Sequence, residues 1–137
     1  MAEAEKEEGL LEQAEIYRGL YNSIRRQLAI LSSALAEISM STEALRVLKE
    51  IKPGTEILVP VGGEAFIKTK LETNEKIIVG LGADVSVEKN TDDAIATLSE
   101  RSRVIESAMN DALAKLQKIE ANIRALEQAM LGEKPKE

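Results

Sequence analysis

The side chains in this sequence that could do chemistry are nearly all carboxylates: 24 Asp and Glu stand against 18 Lys and Arg, with no His and no Cys. Acid–base catalysis by a carboxylate pair needs burial or a neighbour that drives two pKa values apart. Here the acids recur at the solvated positions of helical patterns, where nothing implies a cleft. Without His the commonest general base and metal ligand is missing, and without Cys there is no thiol metal site and no disulfide framework. Two glycine clusters invite a nucleotide reading and fail it. Gly80-Leu81-Gly82 follows a strand pattern, but Val85 stands where a dinucleotide fingerprint has its third glycine, and Gly62-Gly63 lacks the Lys-Ser/Thr of a phosphate loop. The expectation is therefore no catalytic, cofactor-binding or metal-ligating residue, no cofactor and no enzyme.

Charge points the same way. Residues 1–52, 53–90 and 91–137 each net −2, giving −6 for the 137 residues. No basic stripe could neutralise phosphates, which argues against nucleic acid and anionic membranes as partners. The start, MAEAEKEEG, lacks the apolar core of a signal peptide, and the sequence reading finds no apolar run long enough to span a bilayer. A cytoplasmic location is expected. With 44% hydrophobic residues but only 2% aromatics, bulky side chains are too few for a conventional globular core.

What positions these residues is a β stretch, Ile57–Lys89, between two helical patterns. Its apolar residues Ile57, Val59, Val61, Ile67, Ile77, Val79, Leu81, Val85 and Val87 fall largely in the period-2 rhythm of half-buried strands. Breaks at Gly62-Gly63, Glu72–Glu75 and Gly80–Asp84 divide it into four short strands, read as two consecutive hairpins. On the first side, Leu10, Ala14, Tyr17, Tyr21, Ile24, Leu28, Leu31, Leu35, Ile38, Thr42 and Leu45 alternate steps of four and three, a heptad seam ended by Pro53-Gly54. On the other, Asn90 or Thr91 can cap a helix whose seam is Ile95, Leu98, Ser102, Ile105, Met109, Ala112, Leu116, Ile119, Ile123, Leu126 and Met130. At about 1.5 Å per residue each seam spans roughly 54 Å, so the helices match in length and are expected to fold back on each other. A register with Leu45 beside Ile95 and Leu10 beside Met130 places Arg18 near Glu127 and Arg25 near Glu120. Along the second helix, Asp111 with Lys115 and Glu120 with Arg124 are spaced for support at i to i+4.

The LVPVG start, the Phe66-Ile67-Lys68 run and the Val87-Glu88-Lys89 exit into a helix, set between two coiled-coil helices, resemble the archaeal alpha-type prefoldin subunits over nearly the whole chain. The resemblance implies an α+β fold, a long antiparallel two-helix coiled coil with two central β-hairpins that assemble into an oligomeric β-barrel body. It implies one prefoldin-type domain over 1–137: an acidic segment 1–9, helices over 10–52 and 91–131, hairpins over 55–89 and a tail 132–137. It further implies an ATP-independent holdase that captures unfolded proteins at the coiled-coil tips and transfers them to a group II chaperonin. Its partners would be prefoldin beta subunits, two alpha with four beta. The alternative is a filament-forming structural prefoldin relative built from stacked β bodies.

Two residue sets carry these expectations. Two hairpins alone are not stable and leave edges exposed, so Ile57, Val59, Val61, Ile67, Ile77, Val79, Leu81, Val85 and Val87 are expected at subunit contacts. At the helix ends Leu10, Leu11, Ile16, Leu20, Leu126, Ala129, Met130 and Leu131 exceed what the seam needs, and this surplus is the expected client-binding surface. Met130 adds an adaptable thioether there.

Overall fold

The computed structural model describes residues 2–132; Met1 and residues 133–137 of the expected tail lie outside the described residues. The order is α1 (Ala2–Lys49), β1 (Glu56–Gly62), β2 (Ala65–Lys70), β3 (Lys76–Gly82), β4 (Val85–Asn90) and α2 (Thr91–Met130). The fold is α+β. Helix α1 takes in residues 2–9, which the sequence reading set apart. Ala, Glu and Lys are strong helix formers, and Glu3 and Glu5 in the first turn complement the helix dipole; together they outweigh Gly9, which costs about 1 kcal/mol. Gly132, with φ of 72°, supplies the left-handed stop after α2.

The chain forms two compact units. The helical unit combines the residues up to Leu35 with those from Ile105 onward. Within it, every seam position from Leu10 to Leu35 and from Ile105 to Met130 is at least partly shielded, while most residues around them are exposed. Ala14 is only 2% exposed. An alanine in mid-helix cannot cover itself, so its cover is the other helix of the unit. Among the described residues no large side chain is fully buried, because one helix shields its partner along a stripe and not all round.

The hairpin unit runs from Ala36 to Val104. Its helical parts continue the seam: Ile38, Leu45, Ile95, Leu98 and Ser102 are half-buried and Thr42 is buried, its hydroxyl donating to the Ile38 carbonyl at 2.9 Å. Strands β1 and β2 form one two-stranded antiparallel sheet, β3 and β4 another. The hairpins repeat each other at an offset of twenty residues. Val59 pairs with Ile67 and Val79 with Val87; a register shift falls between Pro60 and Gly62 in one and between Gly80 and Gly82 in the other. Each reverses through two residues with positive φ, Gly63-Glu64 (58° and 62°) and Ala83-Asp84 (51° and 61°), the turn whose twist matches that of the strands.

Asn74, between the hairpins, ties the unit together. Its Nδ2 donates to the carbonyls of Lys49 (3.1 Å) and Ile51 (2.8 Å), satisfying acceptors at the end of α1, and its own carbonyl accepts from the Thr91 hydroxyl at the start of α2. Asn90 caps α2 by accepting from the Asp93 amide at 2.9 Å. Lys49 also pairs with Asp92, consistent with a register that sets Leu45 beside Ile95.

One stretch of α1 meets the length and composition of a membrane span, where the sequence reading had found none. In α1 the seam residues Leu28, Leu31, Leu35 and Ile38 are half-buried, while Ile30 and Met40 are exposed.

Candidate functional site

The two hairpins are not equally covered. In the second, Ile77, Val79, Val87 and Lys89 share the protected face, and Val79 is 6% exposed against 41% for its counterpart Val59. The cover is the start of α2. Beside its seam, that helix protects a second stripe, Ala94, Thr97 and Arg101. Lys89 Nζ donates to the Thr97 hydroxyl at 2.9 Å, and Arg101 Nη2 donates to the Gly80 carbonyl. Hairpin 1 has no such cover: every residue of β2 is exposed, and in β1 only Ile57 is half-buried.

Of the strand residues expected at subunit contacts, Val59, Val61, Ile67, Leu81 and Val85 are exposed, whereas Val79 is already buried within the chain and Ile57, Ile77 and Val87 partly so. Sequence reasoning missed the opposite faces. Leu58, Phe66 and Ile78 are exposed, Ile78 to 76%, so both hairpins carry apolar residues on two faces. The signal was available: apolar residues at both parities of a strand mark burial on both sides.

In the helical unit the expected client residues divide in two. Leu10, Leu126 and Met130 are half-buried in the seam. Leu11, Ile16, Leu20 and Leu131 are open to solvent, with Leu131 at 74%. Ala129 is exposed as well. A shallow concavity at the helix ends is lined by Glu3, Lys6, Glu7 and Leu10 of α1 and by Ala129, Met130, Leu131 and Gly132 at the end of α2, charged on the first side and without charge on the second.

Electrostatics add little chemistry. Among the described residues the ion pairs are Arg46–Glu43, Lys49–Asp92 and Arg103–Glu100. The expected pairs Arg18–Glu127, Arg25–Glu120, Asp111–Lys115 and Glu120–Arg124 are not among them. Arg25 lies 5.8 Å over the Tyr21 ring and donates to its hydroxyl at 3.4 Å. An exposed ion pair is worth about 0–1 kcal/mol, so a neighbour one turn away competes successfully. Hydrogen bonds from Arg103, then its charge, hold the exposed Glu100 carboxyl below its ordinary pKa. A polar crevice lined by Lys49, Asn74, Asn90, Thr91 and Asp92 has these groups engaged in capping and pairing one another. It is a structural clamp.

Comparison with known proteins agrees with this geometry. Residues 17–133 match the family model described as prefoldin subunit. The chain is 29% identical to the prefoldin subunit alpha of Thermofilum pendens over 128 residues, covering 88% of this chain and 99% of that protein. It is 30% identical to the prefoldin subunit alpha of Nitrosopumilus maritimus, covering 96% and 97%. Among solved structures, filamentous prefoldin from Methanocaldococcus jannaschii superposes with a TM-score of 0.75 at 23% identity, over 84% of this chain and 95% of that one.

Proposed function

The chain belongs to the prefoldin family, and on that premise we propose that it is the alpha-type subunit of an ATP-independent holdase that takes up unfolded polypeptide at its helix ends. Prefoldins are chaperones that work as assemblies of subunits, and the exposed hairpin faces suit such an assembly. The observation that carries the reading is the exposure of Leu11, Ile16, Leu20 and Leu131 beside a seam that does not use them. Each apolar side chain covered by a client contributes about 1.5–3 kcal/mol, so a single subunit holds an unfolded chain weakly. Several subunits acting on one client supply avidity and keep release possible without nucleotide.

The partners in this reading are four beta-type subunits to two of this chain, unfolded clients, and a group II chaperonin that receives them, in the cytoplasm. The test is the triple variant Leu11→Ser, Leu20→Ser and Leu131→Ser. It is expected to leave the mass of the assembly unchanged, because none of the three sits in the seam or on a strand, while suppression of aggregation of an unfolded client falls. Full protection by the triple variant would refute binding at the helix ends. Light scattering with a beta-type partner separates a closed particle, as proposed, from an open polymer.

A further inference from the structure

The two hairpins share one backbone pattern, so a difference in how firmly each holds comes from what covers it. The Leu71 amide donates to the Thr55 carbonyl, and the Thr91 amide to the Glu75 carbonyl. Hydrogen-bonded pairs recur at every second residue of an antiparallel ladder, so Val59–Ile67 and Val79–Val87 each exchange both backbone bonds. The two pairs stand at the same place relative to their turns. Their surroundings differ. Val79 is buried beneath α2, Lys89 Nζ donates to the Thr97 hydroxyl, and the Gly80 carbonyl accepts from Arg101. Hairpin 1 is held at its base, where the Gly54 amide donates to the Leu71 carbonyl, the Thr55 hydroxyl donates to the Lys52 carbonyl, and Ile57 and Leu71 are half-buried. Every other residue of β1 and β2 is exposed.

A two-stranded ribbon in water is marginal at best, and packing against a helix is one of the additions that make it stable. Hairpin 2 has that addition within its own chain, and hairpin 1 has not. The turns work the other way, since Gly63 takes its φ of 58° freely while Ala83 resists 51°, a difference of about two- to fivefold in the opening equilibrium. Covering Val79 and parts of Ile77 and Val87 outweighs it, at about ten- to a hundredfold.

We propose that hairpin 1 closes only on assembly: in an unassembled chain β1 and β2 part beyond Ile57 while hairpin 2 and the helices stay formed, and cover of Val59, Val61 and Ile67 by a neighbouring subunit orders the pair. The chain thus carries one hairpin ready for a partner and one completed at the moment of joining. Joining is thereby coupled to a folding step, and a free chain withholds one complete apolar ribbon, with its unpaired edges, from wrong partners. This rests on the assembly reading but not on client binding.

Amide hydrogen exchange on the full-length chain, diluted until its mass is that of one chain, reads both pairs in one experiment. The amides of Val79 and Val87 are expected to exchange at least about tenfold more slowly than those of Val59 and Ile67, and all four to be slow in the assembly with a beta-type partner. Trypsin gives a second reading: Lys68 and Lys70 should be cut in the isolated chain and spared in the assembly, with Lys89 spared in both. Arg101→Ala should speed exchange at Val79 and Val87 about tenfold in the isolated chain and leave Val59 and Ile67 unchanged, with helicity by circular dichroism preserved. Equal exchange of the two pairs in the isolated chain, whether both slow or both fast, overturns the proposal, as does a Val79 rate indifferent to Arg101→Ala. Fast exchange at Val59 in the assembly as well overturns the coupling and removes hairpin 1 from the subunit contacts, while capture at the helix ends still stands or falls on the triple variant. A particle that orders hairpin 1 yet fails to protect an unfolded client sustains the proposal and refutes the chaperone reading.

Discussion

Replacing Asn74 by Ala tests whether one side chain sets the junction of helices and hairpins. The substitution removes two neutral hydrogen bonds, to the carbonyls of Lys49 and Ile51, and leaves the bond from Thr91 to the backbone of residue 74 in place. Each bond contributes about 0.5–1.5 kcal/mol net. Water can replace part of the bond to the exposed Lys49, less so at half-buried Ile51, so the loss works out at about 2 kcal/mol, or roughly 4–8 °C in melting temperature. Asn74→Asp sharpens the test. At neutral pH a carboxylate would face two carbonyl oxygens at the negative end of α1, so it should destabilise more than Ala. Below about pH 4 the protonated acid regains a donor, and the gap should narrow. Denaturant unfolding of the assembly followed by far-UV circular dichroism measures both. A loss under about 0.5 kcal/mol for Asn74→Ala, with Asn74→Asp no worse than Ala, would refute the clamp.

The turns make an opposed pair of expectations. Ala83 holds a φ of 51° that glycine tolerates and alanine resists, so Ala83→Gly should stabilise by about 0.5 kcal/mol after allowing for the freer unfolded chain, while Gly63→Ala, at φ 58° with open space around it, should destabilise by about 1 kcal/mol; denaturant midpoints decide. Cysteine pairs at Leu45 with Ile95 and at Leu10 with Met130 should cross-link within one chain, and links between chains instead would refute the antiparallel hairpin. In an NMR titration the Glu100 carboxyl should keep its charge to lower pH than an ordinary glutamate, and Arg103→Gln should bring it back up; because the folded pKa is depressed, any stability from the pair is present above the unfolded pKa and lost as the pH falls through the folded one.

The helices, their seam and the two hairpins were legible in the sequence because each rests on local periodicity. Steps of three and four along eleven positions leave one way to bury Leu10 through Leu45, and alternating apolar residues broken by glycine leave little but hairpins. Leu11, Leu20 and Leu131 could be picked out by subtraction, as apolar residues the seam did not use. Tertiary structure alone decided what depends on the meeting of distant elements. Val59 and Val79 occupy equivalent places in the repeat, yet one is open and the other buried, because α2 lies against the second hairpin only. The stripe that does this, Ala94, Thr97 and Arg101, holds one small apolar residue and two polar ones and makes no hydrophobic pattern to find. Asn74 looks like any turn residue until two helix ends are brought to it. The cross-seam ion pairs expected from register are not among those formed by the described residues, because an exposed pair gains too little to hold two long side chains in one geometry, and sequence spacing is blind to that balance.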